Sequence, residues 1–212
     1  NMGVGAYSSG NIWQIQITQS PSTATGLSVD FMAAYHVLQQ LPELTTVQES
    51  GNTFLMMVND TTHAPVLLQE PEYAPSENVD NTEYDAANKD RFTVNGRTIL
   101  METEQQMMHY ETNMAAMLRL ADWFDSLREN GVYDNTRIIL VSDHGRELEH
   151  FPDMVTKLPY IRDDREDYLP LLMVKDFDSH GFTASEEFMT DADVPTLAMA
   201  GMVENPVNPF TG

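Results

Sequence analysis

The stretch TRIILVSDHGRE, residues 136–147, runs a block of aliphatic side chains straight into an aspartate, a histidine and a glycine. Ile138, Ile139, Leu140 and Val141 show no polar alternation, the pattern of a strand buried on both faces. Asp143 and His144 follow at the strand's end, where side chains leave the core and face a crevice. A carboxylate oxygen beside an imidazole nitrogen suits manganese, zinc or iron, with calcium or magnesium less natural for the histidine. Neighbouring residues on a strand point to opposite faces, so the pair converges on one ion only if the chain turns, which Gly145 permits. An isolated Asp-His pair is more simply a turn cap beside a half-buried histidine. Its position after a buried strand and before a glycine moves the reading to function.

Working outward, strands alternate with helices. Residues 11–18, NIWQIQIT, carry the period-two spacing of a strand, and TFLMMV, 53–58, reads as a fully buried one. Between them Ser28 caps a helix whose Phe31, Tyr35 and Leu38 share a face, with Pro42 as its stop. The polar segment 59–90 is long for a loop in a compact domain, and such loops are functional or disordered. Asn95 and Gly96 between two β-prone runs predict a hairpin. A helix from Thr103 to Asn130 presents Met114, Met117, Leu118, Ala121, Phe124 and Leu127 at helical spacing and ends at Gly131. YLPLLMV, 168–174, is a further strand, and DADVPTLAMAGM opens a last helix with Asp193 near the cap and Pro195 in the first turn. Unalternated apolar strands between helices predict an α/β fold, a mostly parallel sheet covered by helices on both faces. Ligands gather at the carboxyl ends of such strands.

The chain has 212 residues, the size of one domain, and a net charge of -22 from 11 basic and 33 acidic side chains. That field argues against wrapping nucleic acid, and an anionic substrate would need a local cation to outweigh it. The absence of cysteine excludes disulfides, thiolate zinc sites and cysteine nucleophiles. No apolar run reaches the roughly 18 to 20 residues that span a bilayer. Nucleotide binding is disfavoured because no glycine-rich phosphate loop follows a predicted strand.

YDNTRIILVSDHGRE, preceded by ADWFDSLRENG, resembles the late metal-binding motif of the sulfatase branch of the alkaline phosphatase superfamily. It is especially similar to bacterial membrane-anchored enzymes of the lipoteichoic acid synthase and phosphoethanolamine transferase type. In that family the aspartate and histidine at this strand end bind the metal, places taken here by Asp143 and His144. YLPLLMVKDF and FMTDADVPTLAMAGM resemble the next two segments, with Asp191 where asparagine is common. FLMMVNDTTHAPVLLQEPEY resembles the strand and THxP loop whose histidine contacts the substrate's phosphate or sulfate, which assigns substrate binding to His63.

The resemblance, clearest from about residue 50 onward, implies an alkaline phosphatase-like fold and the later part of the catalytic domain over 1–212. The nucleophile and at least one more metal-binding carboxylate are then expected upstream of residue 1. Thr18, Thr23 and Thr25 lie in no recognisable nucleophile motif, so no catalytic residue is assigned. The implied function is metal-dependent hydrolysis or transfer of sulfate or phosphate esters, lipid- or glycan-linked ones included. The implied cofactor is a divalent ion (manganese, zinc, calcium or magnesium), and the isolated segment is expected to be inactive. The implied setting is outside a bacterial cytoplasmic membrane, with membrane anchors upstream. A non-catalytic domain that keeps the fold is the alternative. Among the other candidates, His150 and His180 read as turns, His36 and His109 as packing or surface residues, Arg146 and Lys175 as possible neutralisers of an anionic oxygen, and the acidic run RDDRED as a solvated loop.

Overall fold

The computed structural model describes residues 2–3, 16–17, 26–204 and 207. It divides into two compact units, Asn1–Asn130 and Gly131–Gly212. Of the strand expected over 11–18, only β2 (Gln16–Ile17) is described, paired antiparallel with β1 (Met2–Gly3); the rest, with Thr18, Thr23 and Thr25, lies outside the described residues.

The first unit is built on two helices. In α1 (Val29–Leu44) the Ser28 hydroxyl accepts the Phe31 N–H, a polar cap that frees the next residues to turn their apolar side inward. Phe31, Tyr35, Leu38 and Leu41 form that buried side. Pro42 lies inside the last turn rather than beyond it. The helix still closes because the Thr45 N–H and hydroxyl both reach the Leu41 carbonyl, at 3.0 and 2.7 Å.

After α2 (Thr82–Ala87) and the hairpin β3 (Thr93–Val94) and β4 (Arg97–Thr98) comes α3 (Glu104–Glu129). Asn95 and Gly96 both take positive φ in the hairpin turn. Thr103 and Gln106 form a reciprocal capping box on α3, and Gly131 leaves its far end at φ +69°. The apolar stripe expected on α3 is only partly the buried one. Leu127, Ala115 and Ala116 are buried along with the polar Gln106, His109, Glu111 and Thr112, whereas Met117 and Ala121 face solvent.

The helix is turned this way because segment 61–81 packs on it. Val66, Leu68 and Tyr73 join Phe31, Tyr35 and Ala115 in one core, and Leu38, Leu41 and Ala116 make a second. The expected loop of 59–90 is thus packed in part, through the buried Thr61, Val66, Leu68, Glu70 and Tyr73. Asn59 starts it, donating to the Ala34 carbonyl on α1 and accepting from the Thr61 amide and hydroxyl.

The strand expected over 53–58 is corrected: no ladder forms there, and Met56 and Val58 are 78% and 80% exposed. An apolar run becomes a strand only when another backbone meets its N–H and C=O groups, and among the described residues none does.

The second unit holds β5 (Ile138–Val141), β6 (Val155–Leu158), β7 (Ile161–Asp164), β8 (Leu172–Lys175) and α4 (Val194–Met199). β5 and β8 pair antiparallel, Ile138 opposite Lys175 and Val141 opposite Leu172, and the missed hairpin β6–β7 pairs likewise. The mostly parallel sheet is not found among the described residues: each of the four described strand pairs is antiparallel, and the one parallel contact is an isolated bridge, Ala200 to Val203. A parallel pair needs a crossover of a dozen or more residues, usually helical, and the chain between β5 and β8 is spent on a hairpin and a 3-10 turn, Arg165–Tyr168.

Arg137 ties the start of β5 to Asp176 and to the Leu197, Ala198 and Ala200 carbonyls at the end of α4. The last carbonyls of a helix are short of intrahelical donors, Leu197 keeping only the Ala200 N–H at 3.4 Å, and a guanidinium meets them with charge of the right sign. As expected, Asp193 and Pro195 open α4, Asp193 accepting the Thr190 N–H. Among the described residues no helix is long and apolar enough to cross a membrane.

Candidate functional site

The end of β5 is locked into a turn by backbone bonds. The Ser142 N–H donates to the Leu171 carbonyl at 3.0 Å, and the Leu171 N–H donates to the Ser142 hydroxyl at 2.7 Å. Two residues on, the Gly145 N–H donates to the Asp167 carbonyl at 2.9 Å. Gly145 is required here for close approach rather than for a left-handed φ: a Cβ built on it would stand 1.9 Å from the Glu166 carbonyl oxygen.

Asp143 and His144 are brought together on this turn. The His144 N–H donates to Asp143 Oδ1 at 3.0 Å, and Asp143 Oδ2 stands 3.9 Å from His144 Nε2. His144 Nδ1 lies 2.6 Å from the Gly145 carbonyl oxygen. A carbonyl only accepts, so Nδ1 carries the proton and Nε2 of the neutral ring keeps a lone pair. With metal bonds of about 2.0–2.2 Å, donors 3.9 Å apart can share one ion. The Asp143 carboxylate is 91% exposed, open to an incoming cation.

Asp167, hidden from sequence reasoning inside an acidic run, has Oδ1 3.7 Å from His144 Nδ1. It lies on the side of the opposite ring nitrogen from Asp143 and beyond hydrogen-bond reach, so it adds negative charge there rather than completing the same ligand set. Among the described residues no group of three or more His, Cys, Asp or Glu is arranged to hold a metal. The pair therefore offers at most two donors to a divalent ion. Near the turn, Glu147 has its carboxyl held below the usual range, chiefly by a backbone N–H and then by Arg146.

The remaining candidates fall as follows. His63 is exposed on the first unit, in a turn closed by its own N–H to the Asp60 carbonyl at 3.1 Å. His150 is no solvated turn: its Nδ1 lies 3.0 Å from Glu166 Oε2, while Glu166 Oε1 accepts the Phe151 N–H. Asp164 and Glu166, read as part of a solvated loop, are buried and hold the backbone of 149–151. Exposed Arg165 separates the two where β7 gives way to the 3-10 turn, an alternation that the uniformly charged run does not signal.

Lys175 sits opposite the start of β5, about three strand residues or 10 Å from Val141. Its ammonium is taken by the Tyr133, Asp134 and Thr136 carbonyls. It does not serve an anion beside Asp143. His36 pairs with Gln39 on the surface, His109 is buried in α3, and His180 is exposed.

The sulfatase family model matches residues 1–200, and the chain belongs to the sulfatase family. Its class is that of the alkaline phosphatase-like α/β enzymes that act on sulfate or phosphate esters, typically with divalent metal ions. Comparison with curated proteins and with solved structures gave no significant match.

Proposed function

We propose that the chain takes part in metal-dependent cleavage or transfer of a sulfate or phosphate ester, with Asp143 and His144 as metal ligands and His63 as the substrate-binding histidine. The observation that carries the reading is the turn after β5, where a bond to Gly145 leaves the Nε2 lone pair of His144 beside an exposed carboxylate. The motif's resemblance supports the lipoteichoic acid synthase and phosphoethanolamine transferase type, working outside the cytoplasmic membrane.

A bound divalent ion supplies Lewis-acid stabilisation of charge on the ester oxygens and lowers the pKa of an attacking hydroxyl. Asp143 contributes anionic charge and an open oxygen. His144 contributes a neutral nitrogen, held in its tautomer by Gly145, with the negative charge of Asp167 on the side of the other ring nitrogen. His63 donates an N–H to a non-bridging oxygen of the substrate, or a proton to the leaving group. With a chain charge of -22, these local donors and the ion have to offset a field that repels anions.

The test is an assay of the full-length catalytic domain with phosphodiester, phosphomonoester and sulfate ester substrates, each with a panel of divalent ions. Ion-dependent turnover of one ester class, abolished by Asp143→Ala and weakened by His63→Ala, is the expected result. Turnover indifferent to both substitutions would overturn the assignment. Ion binding without turnover of any ester would favour a domain that keeps the fold for binding alone.

A further inference from the structure

Glu111 is fully buried in α3 and joins that helix to the segment that follows His63. Its Oε2 accepts the Leu68 N–H at 2.5 Å, and its Oε1 accepts Asn81 Nδ2 at 3.0 Å. Asn81 extends the join: its Nδ2 also donates to the Leu68 carbonyl, and its Oδ1 accepts from Gln69 Nε2 and the Glu70 N–H. One carboxyl therefore ties residues 68–70 and 81 to a single turn of helix. Beside it lies a cavity of about 190 Å³, lined by Leu67, Met107 and Val79 and by Asn81, Asp80 and Asp85. Water occupies about 30 Å³ per molecule in the liquid, so the cavity offers room for solvent and for a proton's route to the carboxyl.

We propose that Glu111 is a pH-operated latch on the segment 66–81: protonated, it holds the segment onto α3, and ionised, it lets the segment open through the adjoining cavity. The charges around it drive this. Glu70 on the segment and Asp85 on α2 both repel an ionised Glu111. Arg91 is committed to those same two carboxylates, 3.0 Å from Glu70 Oε2 and in contact with Asp85, so its charge is already shared. Asp80 adds a further carboxylate on the cavity wall. Tyr73 and Tyr110, hydroxyl to hydroxyl at 3.3 Å, and His109 on the same helix are the other titratable groups packed nearby.

Protonation keeps the latch's geometry. The carbonyl oxygen of the acid still accepts the Leu68 N–H, and the hydroxyl oxygen keeps a lone pair for Asn81 while its proton points to the cavity. Burial first, then the charge of Glu70 and Asp85, raises the Glu111 carboxyl to about 7, against the two accepted hydrogen bonds that lower it. In an opened segment the carboxyl meets water and returns to the ordinary carboxylate range. The closed form therefore binds more protons than the open form between about pH 4.5 and 7, and its advantage falls as pH rises through that window. This latch assumes nothing about the metal pair or the ester chemistry, and its readouts are independent of activity.

The experiment is amide hydrogen exchange of the protein from pH 5 to 8, corrected for intrinsic rates, read at Leu68 and Glu70, with Leu127 as a control at the far end of α3. Wild-type protection at Leu68 and Glu70 is expected to fall roughly tenfold to a hundredfold across the window while Leu127 changes less. Glu111→Gln should remove most of the fall, the remainder belonging to Glu70, whose carboxyl burial also raises. Should that variant fail to fold, Asp85→Asn on the exposed helix α2 decides: with a repelling charge gone, the fall should move to lower pH. Wild-type protection that does not vary with pH, a Glu111→Gln profile that falls as far as the wild type's, or an Asp85→Asn profile unmoved would overturn the latch.

Discussion

Residues 53–58 and 138–141 are near twins in composition, TFLMMV and IILV, yet one is an exposed, unpaired run and the other a strand. The difference is not in propensity, since both hold β-formers without polar breaks. β5 meets Leu172–Lys175 in register, and Ser142 seals the far end by exchanging bonds with Leu171. The 53–58 run meets no such backbone among the described residues. Strand character is a pairwise property, and the apolar run is only half of the pair.

Substitutions sharpen the contrast. Leu68→Ala, at a side chain with no exposure in the main core, should cost about 2–5 kcal/mol in urea melts of the protein. Met56→Ser in the exposed run should stay within about 0.5 kcal/mol. A Met56→Ser cost equal to that of Leu68→Ala would mean the run is buried in solution.

Gly145→Ala comes next. Its Cβ would run into the Glu166 carbonyl, so the backbone must shift, at about 1–3 kcal/mol. Thermal denaturation should show that loss, and the substitution should weaken divalent-ion binding because it moves the turn that positions His144. Thr103→Ala removes one side of the capping box on α3 and should cost about 1 kcal/mol. A larger loss there would mean that the cap supports more than its own helix end.

Features coded within a few residues were legible in the sequence: the Ser28 cap, the Asn95–Gly96 hairpin, the bounds of α3 and the Asp193–Pro195 start of α4. So was the placing of Asp143 and His144 just past a strand. What sequence could not supply depended on distant partners. The direction of β8 relative to β5 follows from what the intervening chain does, and the hairpin β6–β7 is marked only by Pro159 and by Tyr160 at positive φ.

The polar burial of α3 was hidden for the same reason. Glu111 belongs inside because the Leu68 amide and Asn81 come from 43 and 30 residues away to meet it. Asp167 and Glu166 were masked by an acidic run whose mean character is solvated, although alternate members of it point inward. The tautomer of His144, on which the proposed metal binding turns, rests on a single carbonyl one residue away that only coordinates reveal.

The proposed ligand pair at the end of β5 is tested most directly by calorimetric titration of the protein with zinc and manganese, alongside Asp143→Ala and His144→Ala. Two protein ligands bind a divalent ion more weakly than three or four, so a modest wild-type affinity is expected, reduced at least about tenfold by either substitution. Tight, stoichiometric binding that survives the loss of Asp143 would contradict the account.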